Sequence, residues 1–231
     1  MDALSDLSIV VPLAPGEATW RELLTDLAPL PAGAQIILVR TPSAPLPLPQ
    51  WPAGVELVQY ESRAGRARQM NIGARHARGG WLWFLHADSR LAPDTLAALR
   101  TFIESHNAAL GWFDLAFLDD GPRLARLNAW GARLRSRVFE LPFGDQGLVL
   151  SATSFVALGG YDENARYGED HLLVWAAHAA RLPVVRVGAT LYTSARTYAR
   201  NGWLFTTLRH WVMTLRQALP RWWRMRWRAR A

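Results

Sequence analysis

Three groups of polar residues stand where backbone elements could turn them on an anionic substrate. The first is Asp88, at the end of the apolar run Trp81–Ala87, which reads as a buried strand. A carboxylate fixed at a strand tip is a hard oxygen ligand. Mg2+ or Mn2+ is commonly held by one or two such groups together with substrate phosphates. On spacing alone Asp88 fits equally well as a cap on the turn before Pro93, where Asp is favoured whatever the function. The second group follows Gly65 at the start of a helical pattern over 65–78. Helix N-termini attract anions and guanidinium forks match phosphate oxygens, so Arg66 and Asn71 are candidate ligands of a nucleotide diphosphate. A solvated basic face accounts for Arg68, Arg75 and Arg78. The third group is Glu169-Asp170, opening a helix over 169–180 behind Gly168. The helix dipole keeps such carboxylates ionised, which suits a base that deprotonates a hydroxyl. Ordinary N-terminal capping would place the same pair.

The elements that must position these groups follow from periodicity. Leu7–Pro12, Gln35–Val39 and Val55–Val58 are short β-branched or apolar runs typical of buried strands, and residues 17–28 place Leu23, Leu24 and Leu27 on one helical face. Five prolines between Thr41 and Pro52 exclude regular structure there. A helix over 94–106 begins behind Pro93. This order implies an α/β fold with a mostly parallel sheet, whose ligands bind at the carboxyl ends of the strands. Asp88 falls at such an end. In the second half, strands are expected over 111–118, 145–151 and 184–187, and an Arg-rich helix over 122–139.

Composition narrows the function classes. The 231 residues are 50% hydrophobic and include no cysteine, which excludes a disulfide framework, a thiolate nucleophile and a Cys-based zinc site. No His pair on a helix is backed by Glu, and no Walker A, G-x-S-x-G or G-x-G-x-x-G sequence occurs. The net charge of +7 is carried by Arg alone and is uneven. Beyond Asp170 there are 11 Arg and no acid, whereas residues 1–170 hold 15 Arg against 19 acids. The N-terminus lacks a basic n-region and no apolar run is long enough to span a bilayer, so the expected location is the cytoplasm.

Taken together, Gly65–Asp88 (GRARQMNIGARHARGGWLWFLHAD), Gly144–Gly147 (GDQG), Leu158–Tyr161 (LGGY), Gly168–Asp170 and Thr193–Arg196 (TSAR) resemble a family 2 glycosyltransferase of the GT-A fold. The similarity is to a small bacterial subgroup that carries these stretches in this order. It implies a metal-dependent, inverting transfer of a sugar from a nucleotide-sugar donor to a hydroxyl. By the same resemblance Asp88 is the metal ligand, for Mn2+ or Mg2+, and Asp170 the base. Arg66, Asn71 and Asp88 lie on the donor side, with Asp145, Gln146 and Glu169 toward the acceptor. His86 replaces the first aspartate of the DxD motif, as in the subgroup. The chain departs from the pattern at Arg40, where the family carries an acidic residue that reads the base. Two other readings stay open: a nucleotidyltransferase on the same sheet, and a non-catalytic protein of this fold that binds a membrane or partner.

Residues 1–200 are expected to form the catalytic domain and 201–231 a basic aromatic tail. Leu204, Leu208, Trp211, Leu215 and Leu219 recur at helical spacing, followed by RWWRMRWR. Such a helix suits the interface of an anionic membrane, consistent with a peripheral enzyme acting on a lipid-linked acceptor. Packing of 204–219 on the catalytic domain is the plainer alternative. Nucleic acid is not expected as a partner, because the body of the chain is acidic and lacks a nucleic-acid-binding motif.

Overall fold

The computed structural model describes residues 2–209 except 44 and 166, together with 212, 213 and 216. A 3-10 turn leads into β1 (Leu7–Pro12), α1 (Trp20–Leu27), β2 (Gln35–Arg40), β3 (Glu56–Glu61), α2 (Arg66–Arg75) and β4 (Trp81–Phe84). Then follow β5 (Arg90–Leu91), α3 (Thr95–Ser105), β6 (Leu110–Phe117), α4 (Ala125–Phe139), β7 (Val149–Ser151) and α5 (Ala152–Ala157). The described elements close with α6 (Glu169–Ala179), β8 (Val184–Thr193), α7 (Arg196–Asn201) and a further helix over 203–209.

One eight-stranded sheet runs in the order β3-β2-β1-β4-β7-β6-β8-β5. Strands β3, β2, β1 and β4 are mutually parallel, β7 is antiparallel to both neighbours, β6 and β8 are parallel, and β5 closes the edge antiparallel. Both faces of this sheet are covered, and the sequence pattern shows why. Ile9, Val11, Ile36, Leu38, Trp81 and Trp83 enter one core with the apolar faces of α1 and α3. Their neighbours Val10, Ile37, Val39, Leu82 and Phe84 enter the other with α2, α5 and α6. Alternate residues thus point to opposite cores, so the strands read as continuous apolar runs rather than alternating ones.

Helix α2 lies unusually close to β1. A Cβ on Gly73 would stand 2.3 Å from Val10 Cγ1. Gly73→Ala is therefore expected to destabilise the fold by about 1–3 kcal/mol through overpacking, reversing the usual gain from Gly→Ala in a helix. Thermal unfolding should show Tm lowered by several degrees.

The structure changes several boundaries. Strand β4 ends at Phe84, so Asp88 sits in the turn before β5 rather than on a strand. Residues 145–151 do not form one strand: Gly144–Gln146 is a 3-10 turn and only Val149–Ser151 is extended, because Gln146 is drawn into side-chain hydrogen bonds. Strand β8 runs to Thr193, six residues past the expected 184–187, pairing with β6 beyond a register shift between Trp112 and Asp114. The irregular proline segment and the helix over 125–139 follow expectation. The tail beyond 216 lies outside the described residues.

Candidate active site

A cleft of about 350 Å3 opens where the 3-10 turn, the N-terminus of α6 and the turn after β4 converge. Four sequence-selected residues line it: Arg66, Asp88, Asp145 and Asp170. Thr193, Ser194 and Tyr198, from the end of β8 and from α7, complete one wall together with Phe117 and Phe143.

Asp170 sits in the first turn of α6 and is 7% exposed. Its Oδ2 accepts a hydrogen bond from the Gly144 N–H, and Oδ1 accepts one from the His171 N–H at 2.9 Å. Burial alone would raise its pKa. The Arg66 guanidinium and those two N–H groups outweigh burial and hold the carboxyl below its ordinary range. Arg66 reaches across from the first turn of α2 and pairs through Nε with Glu169, which is itself buried. His86, beneath the same turn, is shifted in the other direction. Burial, followed by the nearby Arg66, pushes the imidazole well below its ordinary pKa, so it stays neutral. The cleft therefore holds an ionised carboxylate beside a neutral imidazole.

Asp145 has the opposite environment. Its Oδ1 is buried without a hydrogen-bond partner among the described residues. Burial, with Asp170 and Asp88 adding repulsion against the attraction of Arg135 and Arg66, raises its pKa to about 6 from 3.8. A carboxyl with a raised folded pKa stabilises the fold below its unfolded value and loses that contribution as pH climbs through the folded value. Without divalent cations, Asp145→Asn should thus raise Tm at pH 7.5, by the equivalent of about 3 kcal/mol, and have little effect near pH 4. Paired unfolding scans at the two pH values check this.

Three sequence-selected residues, Asn71, Gln146 and Glu169, are not among those that line the cleft. Asn71 donates through Nδ2 to the Tyr161 carbonyl at 2.8 Å and to Glu163 Oε1 at 3.0 Å, and its Oδ1 accepts from the Tyr161 N–H at 2.9 Å. It fastens the Leu158–Tyr161 loop to α2. Gln146 is fully buried. Its Oε1 accepts from Phe143 N–H, Ser136 and Arg135, while Nε2 donates to the Phe113 carbonyl at 3.1 Å. Both polar atoms of that carboxamide anchor the turn to α4 and β6. Glu169 is likewise turned onto Arg66.

Gln69, not singled out for chemistry, ties the ends of β1 and β2 by donating to Leu13 and Val39 carbonyls, each at 2.8 Å. Arg40 is buried as well. It donates to Gln59, to Glu61 at 2.7 Å and to the Ser43 carbonyl at 2.6 Å, pinning the proline segment to β3. The departure at position 40 has a structural role. Tyr198, whose hydroxyl is pushed up to about 12 by burial and then by Asp145, carried no sequence signal beyond following the TSAR stretch.

As to a cation, Asp88 is partly buried, and burial raises its carboxyl; Thr193 Oγ1 lies 3.4 Å from Oδ2. No cluster of three or more ligand-type side chains occurs among the described residues. That donor set suits a hard cation shared between one carboxylate and the phosphates of a bound substrate, rather than a cage made by protein alone. The unpartnered Asp145 oxygen in the same cleft agrees with it.

Comparison with solved structures finds the same architecture. S. aureus TarS 1–349 in complex with UDP-GlcNAc superposes with a TM-score of 0.60 at 18% identity, over 81% of this chain and 58% of that one. The mannosyltransferase PcManGT from Pyrobaculum calidifontis, in complex with GDP-Man and Mn2+, gives 0.65 at 16% identity over 93% and 64%. GalNAc-T7 with UDP, GalNAc and Mn2+ gives 0.61 at 16% identity over 81% and 43%. The chain thus spans less than two thirds of each. No curated protein sequence gives a match. The sequence model described as Glycosyl transferase family 2 matches residues 9–158, well over half of the chain. The sheet is that of the GT-A fold, and the chain belongs to glycosyl transferase family 2.

Proposed function

We propose that this chain is an inverting glycosyltransferase that moves a sugar from a nucleoside diphosphate to a hydroxyl acceptor. The observation that carries this reading is Asp170, an ionised carboxylate held against a cleft wall by two backbone N–H groups and Arg66. Such a group can take the acceptor's O–H proton as the acceptor oxygen bonds to the anomeric carbon. The bond from that carbon to the diphosphate breaks, its electron pair leaves with the nucleoside diphosphate, and a single displacement inverts the centre. Neighbours crystallised with UDP-GlcNAc, GDP-Man and UDP support the donor class.

Arg66 and Asp88 form the donor side and Asp145 the acceptor side, with Glu169 orienting Arg66. Asp88 would hold Mn2+ or Mg2+, which when bound supplies positive charge to the departing diphosphate. Residues 1–200 form the catalytic unit and 201–231 the tail, which holds the enzyme at the inner face of the cell membrane. There a lipid-linked hydroxyl is the acceptor. Among the described residues no helix is long and apolar enough to cross a membrane.

Thermal shift with UDP, GDP, ADP, CDP and dTDP, each with and without Mn2+, tests the donor class. At least one nucleotide should raise Tm in a Mn2+-dependent manner, and Asp88→Asn should weaken the shift. A flat panel would remove the enzyme reading.

A further inference from the structure

Helix α4 is built with its large apolar residues pointing outward. Its buried stripe is Ala125, Ala129, Ala132 and Ser136, whereas Leu127, Trp130, Leu134 and Val138 recur at three- and four-residue spacing on the opposite face. These four side chains are between 46% and 64% exposed. A helix packed only on a protein core carries the reverse arrangement, so this face is made for a second apolar phase. The helix over 203–209 lies against α4, with Asn128 bonded to Trp203 at 2.6 Å and to Thr207 at 3.0 Å. It repeats the arrangement: Thr206 is buried, and Leu204, Phe205 and Leu208 are exposed, as is Val212 beyond it.

We propose that α4 and the helix beginning at 203 form one docking face that lies in the plane of an anionic bilayer. The occupant is identified by charge. Arg123 just before α4, Arg126 and Arg137 on it, Arg209 on the second helix and Arg216 beyond it are exposed. Arg126 pairs with Asp119 at 3.0 Å and Arg137 with Asp114 at 2.7 Å, so the identification rests mostly on Arg123, Arg209 and Arg216. The only acid of α4's own turns is Glu140 at its C-terminal cap, and no acid follows Asp170. Apolar side chains rimmed by arginine are the composition of an interfacial helix, and each cation near an anionic leaflet adds to the binding. A second copy of the chain would instead bring arginine rims face to face. The surface also adjoins the cleft, because Phe117 at the end of β6, Tyr198 of α7 and Met213 line it. Docking would set the cleft beside the leaflet. The proposal extends the expected tail anchor to a helix of the folded body, and it stands whether or not sugar transfer is the activity.

Flotation of the full-length chain with phosphatidylcholine vesicles, with and without phosphatidylglycerol, tests it. Wild type should float with the anionic vesicles and remain largely free with the neutral ones. Trp130→Glu/Leu134→Glu, with the tail intact, should lower partition at least about tenfold, since burying one Leu or Trp side chain is worth that much. The milder Trp130→Ala/Leu134→Ala should fall in the same direction, and unchanged circular dichroism and Tm certify both folds. Three outcomes would overturn the proposal: no binding by wild type, undiminished binding by both variants, or a stable dimer that the Glu variant dissociates. None of these readouts uses a nucleotide, so its failure is separable from failure of the transferase reading.

Discussion

Asp170→Asn is expected to lower the transfer rate by about 10^3-fold while leaving nucleotide binding and Tm near wild type. General bases contribute between about 10^2 and 10^4, and an amide cannot take the acceptor's proton. The side chain is nearly isosteric, and its oxygen can still accept an N–H bond from Gly144 or His171. Arg66 keeps Glu169 as a partner, so no buried cation is stranded. Release of nucleoside diphosphate and calorimetric titration of the nucleotide separate the two quantities. The pH profile adds a second check. Because the Asp170 carboxyl is held below its ordinary range, its own acid limb should lie below that range. A limb near pH 6 that disappears in Asp145→Asn would belong to Asp145, whose pKa is raised to about 6.

Gly144→Ala should strike the same site through space alone. A Cβ there would stand 2.6 Å from Asp170 Oδ2 and 3.1 Å from His86 Nε2. Gly144 does not occupy the left-handed region, so an alanine backbone is tolerated and only the contact is at issue. The carboxylate must turn away or surrender its bond to the Gly144 N–H. Displacing a reacting group by about 1 Å costs on the order of 10^2 in rate, and overpacking costs about 1–3 kcal/mol of stability. A fall in kcat of at least about 10^2 is expected, with the donor KM close to wild type and Tm modestly lowered. A variant with full turnover would show that the Gly144–Asp170 contact does not position the base.

Much of this architecture was legible because its signals are local. Strands β1, β2 and β4 appear as uninterrupted apolar runs, a pattern forced by helices on both faces of the sheet. Asp88 and Asp170 could be found because each stands next to a recognisable chain reversal. At Asn71 and Gln146 the residue type alone leaves two uses open. A carboxamide can meet a phosphate or close a buried loop with the same atoms, and only the folded chain shows which backbone groups lie within reach. Gln146 bonds through both its oxygen and its nitrogen to α4, β6 and its own turn. Strand β8 was cut short because Gly188, at φ +99°, interrupts the apolar run while the pairing with β6 continues past it. Helix α5 was missed because six residues behind Ser151 are too few to show a helical period. Arg40 stands as a departure at the site, yet burial and hydrogen bonds to four residues make it the clasp of the proline segment. The outward apolar face of α4 was hidden among its arginines, since composition alone does not say which side of a helix meets the core.

The most direct test of the central claim is the anomeric configuration of the sugar released when the enzyme turns over a nucleotide sugar with Mn2+. Time-resolved proton NMR of slow donor hydrolysis, with water as acceptor, reads it before mutarotation. A single displacement assisted by Asp170 predicts that an α-linked donor yields the β-sugar first. An α-product from that donor, or no turnover of any nucleotide sugar, would contradict the account.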